Sequence, residues 1–193
     1  TNIIHRASNE RGDVEAALKR ADYVFADVFH ASQIHHSYME PHATTAAVIG
    51  GTVTVWNCSQ EVFELRTVMG SLFSVPESKL RIICTKVGGG FGGKIEPRLE
   101  PVAIALAMKA HKPVKMVMTR DEVFRATGPT SGTVIKMKMG AKRDGTIVAA
   151  RASLWYEAGA YRGSPSGAGA MCCLAAYTIP NFLIEAYDVV VNK

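Results

Sequence analysis

The sequence predicts an α+β fold of mixed, mainly antiparallel sheets with packed helices. Hairpin signals outnumber strand–helix–strand units along the chain, which favours this class over a doubly wound parallel sheet. Gly50-Gly51 and Arg143-Asp144-Gly145 are turn signals, and each joins two runs of apolar and β-branched residues, as in antiparallel strand pairs. Segments with apolar residues at helical intervals lie between these hairpins, and the sequence contains no internal repeat.

The first half of the chain alternates between helical and strand patterns. Residues 1–13 are polar and mixed in charge, unlike a signal peptide. Asp13 suits the N-cap of a short helix, which a strand, a hairpin, a second helix and another strand follow. We predict the first helix over 13–22, the strand after it over 23–33 and the hairpin over 43–59. The second helix is predicted over 61–73 and the next strand over 80–87.

The second half begins with an apolar helix in which Pro101 suits the first turn. A strand follows, and then the sequence TGPTSG, residues 127–132, forms the clearest break in the chain. Beyond the break come two strands, a segment of small residues and a last strand. We predict the helix over 100–112 and the strand after it over 113–122. The two strands beyond the break are predicted over 133–142 and 146–159, the small-residue segment covers 163–170, and the last strand is predicted over 182–193.

The composition is that of an ordinary globular protein, with 48% hydrophobic and 20% charged residues. No apolar run reaches the ~18 residues that a membrane-spanning helix requires. The net charge of +5 is spread along the chain, and the densest basic stretch, 136–143, alternates with apolar residues as on the solvent face of a strand. We therefore expect neither a nucleic acid nor a membrane as a partner.

The cysteines and histidines do not form a recognisable metal or disulfide pattern. The four cysteines show no C-x-x-C spacing, which predicts reduced thiols and a cytoplasmic location. If His35 and His36 lie in a strand, their side chains point to opposite faces. Ordinary packed or solvated histidines are therefore expected rather than a zinc site at the histidine-rich positions His30, His35, His36 and His42. Glu40 and Pro41 are predicted to form a structural corner.

The stretch VGGGFGGKIEP, residues 87–97, contains a glycine loop that we define as residues 88–94. It resembles the phosphate-binding pattern of nucleoside triphosphatases, but that pattern needs a hydroxyl residue after its lysine, and Ile95 stands there. It also satisfies the dinucleotide fingerprint G-x-G-x-x-G. A dinucleotide-binding unit would also have an acidic residue ~20 positions further on, and the sequence has none there. An NAD-dependent dehydrogenase is therefore kept only as a distant third hypothesis, behind the two given at the end of this section.

The chemistry of the loop itself favours contact with a ligand. Glycines around a single bulky Phe91 allow the backbone to approach a ligand closely and to direct several N–H groups toward it. Such a backbone suits phosphate or oxo oxygens, and the Phe91 ring suits a flat partner. A plain tight turn, the alternative, would need fewer glycines.

The loop and several other motifs resemble the molybdenum hydroxylases, the family of xanthine dehydrogenase, aldehyde oxidoreductase and the large subunit of CO dehydrogenase. The motifs occur in order along nearly the whole chain: YMEPHATTA (38–46), SQ (59–60), GGGFGG (88–93), TRDE (119–122), the stretch 144–161 and YTIPN (177–181). The resemblance implies the molybdenum cofactor-binding fold of the aldehyde oxidoreductase type. It further implies that residues 1–193 are the first molybdopterin-binding domain, a fragment of a larger subunit. The TGPTSG sequence adds a subdomain break near 127–132.

The same resemblance implies a cofactor and a set of contacts. The cofactor is molybdenum–molybdopterin, in bacteria often in the cytosine dinucleotide form. Gln60 would donate a hydrogen bond to an oxo ligand, and no residue of the chain need ligate the metal directly. The glycine loop would lie beside the metal and the pterin through Gly89, Gly90, Phe91, Gly92 and Gly93.

Two departures from the family pattern concern the substrate pocket. Ile95 stands where purine-oxidising members have a substrate-orienting glutamate, and Ala168 stands where they have an arginine. The resemblance therefore favours an aldehyde or an aromatic heterocycle carbon as the group hydroxylated, with water as the oxygen source.

The expected partners are the remainder of the large subunit, an iron–sulfur subunit and an FAD subunit. No catalytic residue is expected in this chain, because the family's general-base glutamate lies further along. We expect the chain alone to be inactive. The alternative from another functional class is a non-catalytic pterin-binding or assembly module.

Overall fold

The computed structural model describes residues 1–192. In chain order the elements are β1 (Ile3–Arg11), α1 (Val14–Lys19), β2 (Tyr23–Ala31), β3 (Ala43–Ile49), β4 (Thr52–Asn57), α2 (Val62–Phe73), a 3₁₀ turn (Glu77–Lys79), β5 (Leu80–Cys84), α3 (Glu100–Ala110), β6 (Val114–Val117), α4 (Arg120–Ala126), β7 (Thr133–Ala141), β8 (Ile147–Gly159), α5 (Ser166–Cys172) and β9 (Asn181–Val190). The predicted α+β class is confirmed.

The elements form two compact units, of which the first comprises residues 1–34 and those from 131 onward. Its sheet has the strand order β1-β9-β8-β7-β2, and only the β8–β9 pair is parallel. The hairpin predicted at Arg143-Asp144-Gly145 joins β7 to β8, and Gly145 has the positive φ of 85° that the turn requires. The core of this unit includes Ala152, Leu154 and Ile184.

The second unit, residues 35–130, carries the glycine loop. Its sheet has the order β5-β4-β3-β6, in which β4 and β5 are parallel and the other neighbours are antiparallel. Gly50 and Gly51 form the predicted β3–β4 turn with φ values of 56° and 75°. Helices α2 and α3 supply buried apolar side chains to its core, whose members include Val55, Leu65, Met69 and Ile104.

Three segments differ from the sequence prediction. No element was predicted over residues 3–11, but they form β1, an edge strand that pairs only with β9 and keeps most of its side chains in solvent. The strand predicted over 113–122 ends at Val117, since Thr119 and Glu122 form a capping box that begins α4. Helix α5 begins within the small-residue segment and ends beyond it at Cys172, and periodicity did not reveal this short helix. Within residues 1–192, no helix is long and apolar enough to cross a membrane.

Candidate functional site

The glycine loop leaves the edge strand β5 and leads toward α3. The strand after α3 is β6, which pairs antiparallel with β3 at the opposite edge of the sheet from β5. A dinucleotide-binding unit instead needs two neighbouring parallel strands joined through the helix. The topology therefore argues against the dinucleotide interpretation of the G-x-G-x-x-G pattern.

The two ends of the glycine loop are held by one carboxylate oxygen. Glu40 Oε2 accepts a hydrogen bond from the Gly88 backbone N–H at 2.7 Å and from Lys94 Nζ at 2.7 Å. The Glu40 N–H in turn donates to the Gly88 carbonyl at 3.1 Å. We call the contacts of Glu40 Oε2 with Gly88 and Lys94 the Glu40 bridge.

Lys94 is a buried cation, with only 1% of its side chain exposed. Its ammonium nitrogen lies 4.8 Å from the centroid of the Tyr38 ring, so the Glu40 carboxylate and the ring face both stabilise its charge. In a phosphate-binding loop the corresponding lysine must reach the ligand. Here it turns into the protein, which adds a structural reason against the triphosphate interpretation.

The side-chain amide of Gln60 is oriented by the loop. Its Oε1 accepts hydrogen bonds from the backbone N–H groups of Gly92 at 3.2 Å and Lys94 at 3.1 Å. The Gln60 N–H donates to the Lys94 carbonyl at 2.9 Å, which fixes its backbone as well. Because Oε1 is used in this way, Nε2, a donor, is the amide atom left over by these two hydrogen bonds.

Only part of the loop backbone remains available to a ligand. The N–H groups of Gly88, Gly92 and Lys94 are used as described, and that of Gly93 donates to the Gly90 carbonyl at 2.8 Å. The remaining loop N–H groups make no hydrogen bond within residues 1–192, and they are consecutive: Gly89, Gly90 and Phe91. All five predicted loop residues therefore lie together, but Gly92 and Gly93 contribute conformation rather than free donors.

Space around Gly90 is filled by the Gln60 side chain. A Cβ atom built on Gly90 would lie only 2.5 Å from Gln60 Cδ, and one built on Gly93 would lie 2.8 Å from Tyr38 Cε1. Phe91 adopts a left-handed φ of 53°, and the residue is 74% exposed. The loop thus brings bare backbone beside the Gln60 amide and holds an aromatic ring in solvent.

A polar cluster supports the segment that carries Tyr38 and Glu40. The buried Tyr38 hydroxyl lies 2.6 Å from His42 Nε2 and 3.2 Å from Thr127 Oγ1. Arg120 donates to the Tyr38 carbonyl at 2.9 Å, which anchors the same segment to α4. These contacts give the YMEP and TRDE motifs a structural role. A structural corner was predicted at Glu40 and Pro41, but the contacts of Tyr38 and Arg120 were not.

The electrostatics of this cluster favour a neutral histidine. Burial, assisted by the positive charges of Lys94 and Arg98, lowers the pKa of His42 from 6.5 to about 4. Burial acts to raise the pKa of Glu40, but hydrogen bonds from Lys94 and Gly88 outweigh it, so the pKa of that carboxyl lies below its usual value. At neutral pH the second unit therefore holds a charged Glu40 beside an uncharged His42.

We expect His42 to make the second unit less stable in mild acid. The unfolded chain binds a proton at this residue below pH 6.5, whereas the folded chain binds it only below about 4. Its contribution to stability is therefore complete above pH 6.5 and is lost as the pH falls toward 4. Urea unfolding across this range should show the slope, and His42→Asn should remove that residue's share of it.

The matched control is His111→Asn, because His111 is exposed at the end of α3 and its φ of 54° suits asparagine. This variant should keep the full acid dependence of the wild type. An unchanged slope in His42→Asn would contradict the assignment.

The remaining predicted residues lie outside this cluster. Ile95 directly follows the loop and is exposed, and Ala168 is exposed on α5 in the first unit. His35 and His36 lie in no strand, so the expectation that they point to opposite faces of one does not apply; their rings meet edge to face, with centroids 5.8 Å apart. Within residues 1–192, no group of three or more histidine, cysteine, aspartate or glutamate side chains could hold a metal.

Sequence reasoning missed the importance of Lys94 and Tyr38. The lysine was considered only as part of a phosphate-binding pattern, and the tyrosine only as a letter in a motif. The sequence does contain a lysine directly after a glycine-rich segment and a glutamate in a separate motif, and these two residues were the available signal for an ion pair at the loop. Nothing in the sequence places the two side chains in contact.

Comparison with known proteins identifies relatives over the full length of the chain. Residues 1–193 match the family model described as a molybdopterin cofactor-binding domain. The chain is 33% identical to a probable xanthine dehydrogenase subunit of Bacillus subtilis, covering 100% of the chain and 26% of that protein. It is 31% identical to the nicotinate dehydrogenase large molybdopterin subunit of Eubacterium barkeri, covering 100% and 46% respectively.

Solved structures show the same fold. A reconstituted CO dehydrogenase from Oligotropha carboxidovorans aligns with a TM-score of 0.78 and 28% identity, covering 100% of this chain and 25% of that one. The quinoline 2-oxidoreductase of Pseudomonas putida 86 aligns with a TM-score of 0.79 at 23% identity, covering 100% and 26%, which supports the fold alone. The chain thus spans between about a quarter and a half of the length of these proteins.

Proposed function

Because the chain belongs to the molybdopterin cofactor-binding domain family of the molybdenum hydroxylases, we propose that Gln60 and the glycine loop are its cofactor contact. The observation that carries the proposal is the row of unused N–H groups from Gly89 to Phe91 beside the Gln60 amide. Every one of these groups is a hydrogen-bond donor. Such a set complements oxygen atoms that carry negative charge.

The residues present fit a molybdenum–pterin group. The missing side chain at Gly90 lets the Gln60 amide pack directly against the loop backbone, in the place that a Cβ atom would fill. Gln60 Oε1 is held by Gly92 and Lys94, so the amide cannot turn its acceptor toward the ligand without losing two hydrogen bonds. The donor direction is therefore set before any ligand arrives.

The chain's own residues bind and orient the group. Gln60, a neutral amide, donates to an oxygen without transferring a proton to it. The exposed Phe91 ring provides an apolar face that excludes water from one side of the ligand. When bound, the molybdenum–pterin group supplies the redox chemistry. Gly92 and Gly93 complete the contact by setting the shape of the loop.

For the whole protein, we propose hydroxylation of an aldehyde or an aromatic heterocycle carbon with water as the oxygen source. One relative that matches this chain over its whole length is named a nicotinate dehydrogenase subunit, and nicotinate is an aromatic heterocycle. The apolar Ile95 and the small Ala168 support such a substrate, as neither supplies the charge that would orient a purine. The general-base glutamate would come from the remainder of the large subunit, and electrons would pass to iron–sulfur and FAD partners. A cytosine dinucleotide form of the pterin is part of this proposal.

Site-resolved titration tests the cofactor contact. We expect molybdopterin cofactor, released anaerobically from a purified molybdenum hydroxylase, to cause saturable NMR shifts in the ¹⁵N-labelled chain. The shifts should concentrate on the Gly89, Gly90 and Phe91 amides and on the Gln60 side-chain NH₂, because these are the available donors. Affinity should be weak, since the chain matches only part of the relatives' length.

NAD at the same concentrations is the control ligand. It should leave the loop signals in place, because the strand arrangement around the loop is not that of a dinucleotide-binding unit. Loop shifts caused by NAD and not by molybdopterin would replace this proposal with the dehydrogenase hypothesis.

A further inference from the structure

We propose that Glu40 and Lys94 are positioning residues that hold the glycine loop in its ligand-binding shape. The inference rests on the proposed function, since it concerns how the donors of Gly89 to Phe91 are presented. Neither residue need touch the cofactor. They act through the Glu40 bridge, which joins the first and last residues of the loop.

The geometry of the bridge fixes the span of the loop. One oxygen atom, Glu40 Oε2, lies 2.7 Å from both the Gly88 nitrogen and Lys94 Nζ. Closing a glycine-rich segment in this way restricts residues that would otherwise sample many backbone conformations. The three free N–H groups lie within the closed segment, so their directions depend on the bridge.

Lys94 also connects the bridge to Gln60. The Lys94 N–H donates to Gln60 Oε1 at 3.1 Å, and the Lys94 carbonyl accepts from the Gln60 N–H at 2.9 Å. The Ser59 hydroxyl donates to the same carbonyl at 3.3 Å. A displacement of Lys94 would therefore move the side-chain donor as well as the loop donors.

The two partners of the Glu40 bridge differ in burial, so they depend on each other unequally. The Lys94 side chain is 1% exposed, whereas that of Glu40 is 34% exposed. A buried ammonium group without a counter-charge is costly, so Lys94 requires the carboxylate more than the carboxylate requires Lys94. Removing the charge of Glu40 should consequently disturb the protein more than removing that of Lys94.

The test compares Glu40→Gln, Lys94→Met and the double variant in the full 193-residue chain. In the ligand-free protein we expect exchange of the backbone amides at positions 88, 92 and 94 to accelerate at least about tenfold in all three variants, equivalent to about 1.4 kcal/mol. Exchange in the β3–β4 ladder should be unchanged in Lys94→Met. Affinity for released molybdopterin cofactor should fall by a similar factor.

Melting temperature separates positioning from general stability. Glu40→Gln should lower it most, and the double variant should regain most of the loss because no cation then lies buried without a partner. Loop exchange and cofactor affinity should not recover with it. Recovery of all three properties in the double variant would show a purely structural pair and would overturn the proposal.

Lys86→Met is the matched control, since Lys86 is an exposed lysine close to the loop. It should behave as the wild type in exchange and affinity, and an equal effect would attribute the changes to lost positive charge alone. If the wild type fails to bind molybdopterin, the proposed function fails. The ligand-free exchange data still decide whether the bridge controls the loop.

Discussion

Gly90→Ala is expected to weaken molybdopterin binding by about 10- to 100-fold, the range for losing a hydrogen bond to a charged group. The added Cβ would lie 2.5 Å from Gln60 Cδ, closer than such atoms approach. Gln60 is the flexible partner, so it moves rather than the backbone. Its displacement breaks the hydrogen bonds from Gly92 and Lys94 and removes the oriented donor.

The fold should survive this change, because the obstacle is the end of one exposed side chain. Melting should shift by no more than a few degrees, while NMR titration with the cofactor should show the weaker affinity. Gly167→Ala is the matched control, since a Cβ at Gly167 meets no atom within 4 Å. It should bind as the wild type does.

A double variant identifies the cause. If Gly90→Ala acts by displacing Gln60, it should add nothing to Gln60→Ala, whose shortened side chain leaves room for the new methyl group. Gln60→Ala and the double variant should then have equal affinities. Additive losses would instead mean that the methyl group obstructs the ligand directly.

Local chemistry made much of the fold predictable. The Gly50-Gly51 and Arg143-Asp144-Gly145 turns were recognisable because their conformations depend on the residues of the turn itself. Helix α4 was missed although Thr119 and Glu122 carry the capping-box signature, since the preceding strand pattern was extended through it. Edge strand β1 was missed because nearly all of its residues are exposed, so its sequence does not alternate between apolar and polar residues.

The candidate site was predictable only in part. The glycine loop is a local signal, and Gln60 came from resemblance to a family. Glu40 and Lys94 are 54 positions apart, and no spacing rule brings them together. Their contact depends on how the sheet of the second unit arranges segments that are distant in the sequence. The same contact engages the Lys94 ammonium group, which a phosphate-binding loop would instead direct at its ligand.

Leu65→Ala should lower the free energy of unfolding of the second unit by about 2–5 kcal/mol, the usual cost of a cavity in a packed core. Leu65 on α2 is 1% exposed and belongs to the core cluster with Val55, Met69 and Ile104. The helix begins at Val62, directly after the Gln60 segment. Loss of its packing therefore destabilises the unit that carries the Gln60 donor, while the hydrogen bonds of Gln60 itself are kept.

Leu72→Ala provides the same chemical change on the same helix, but Leu72 is 59% exposed, so the cost should stay within about 0.5 kcal/mol. Urea unfolding can be followed through Trp56 of β4 in a Trp155→Phe background, because one tryptophan lies in each unit. Cofactor affinity measured in the absence of urea should fall in Leu65→Ala only as far as its unfolded fraction rises. Equal destabilisation by the two substitutions would mean that α2 does not pack on the sheet through Leu65.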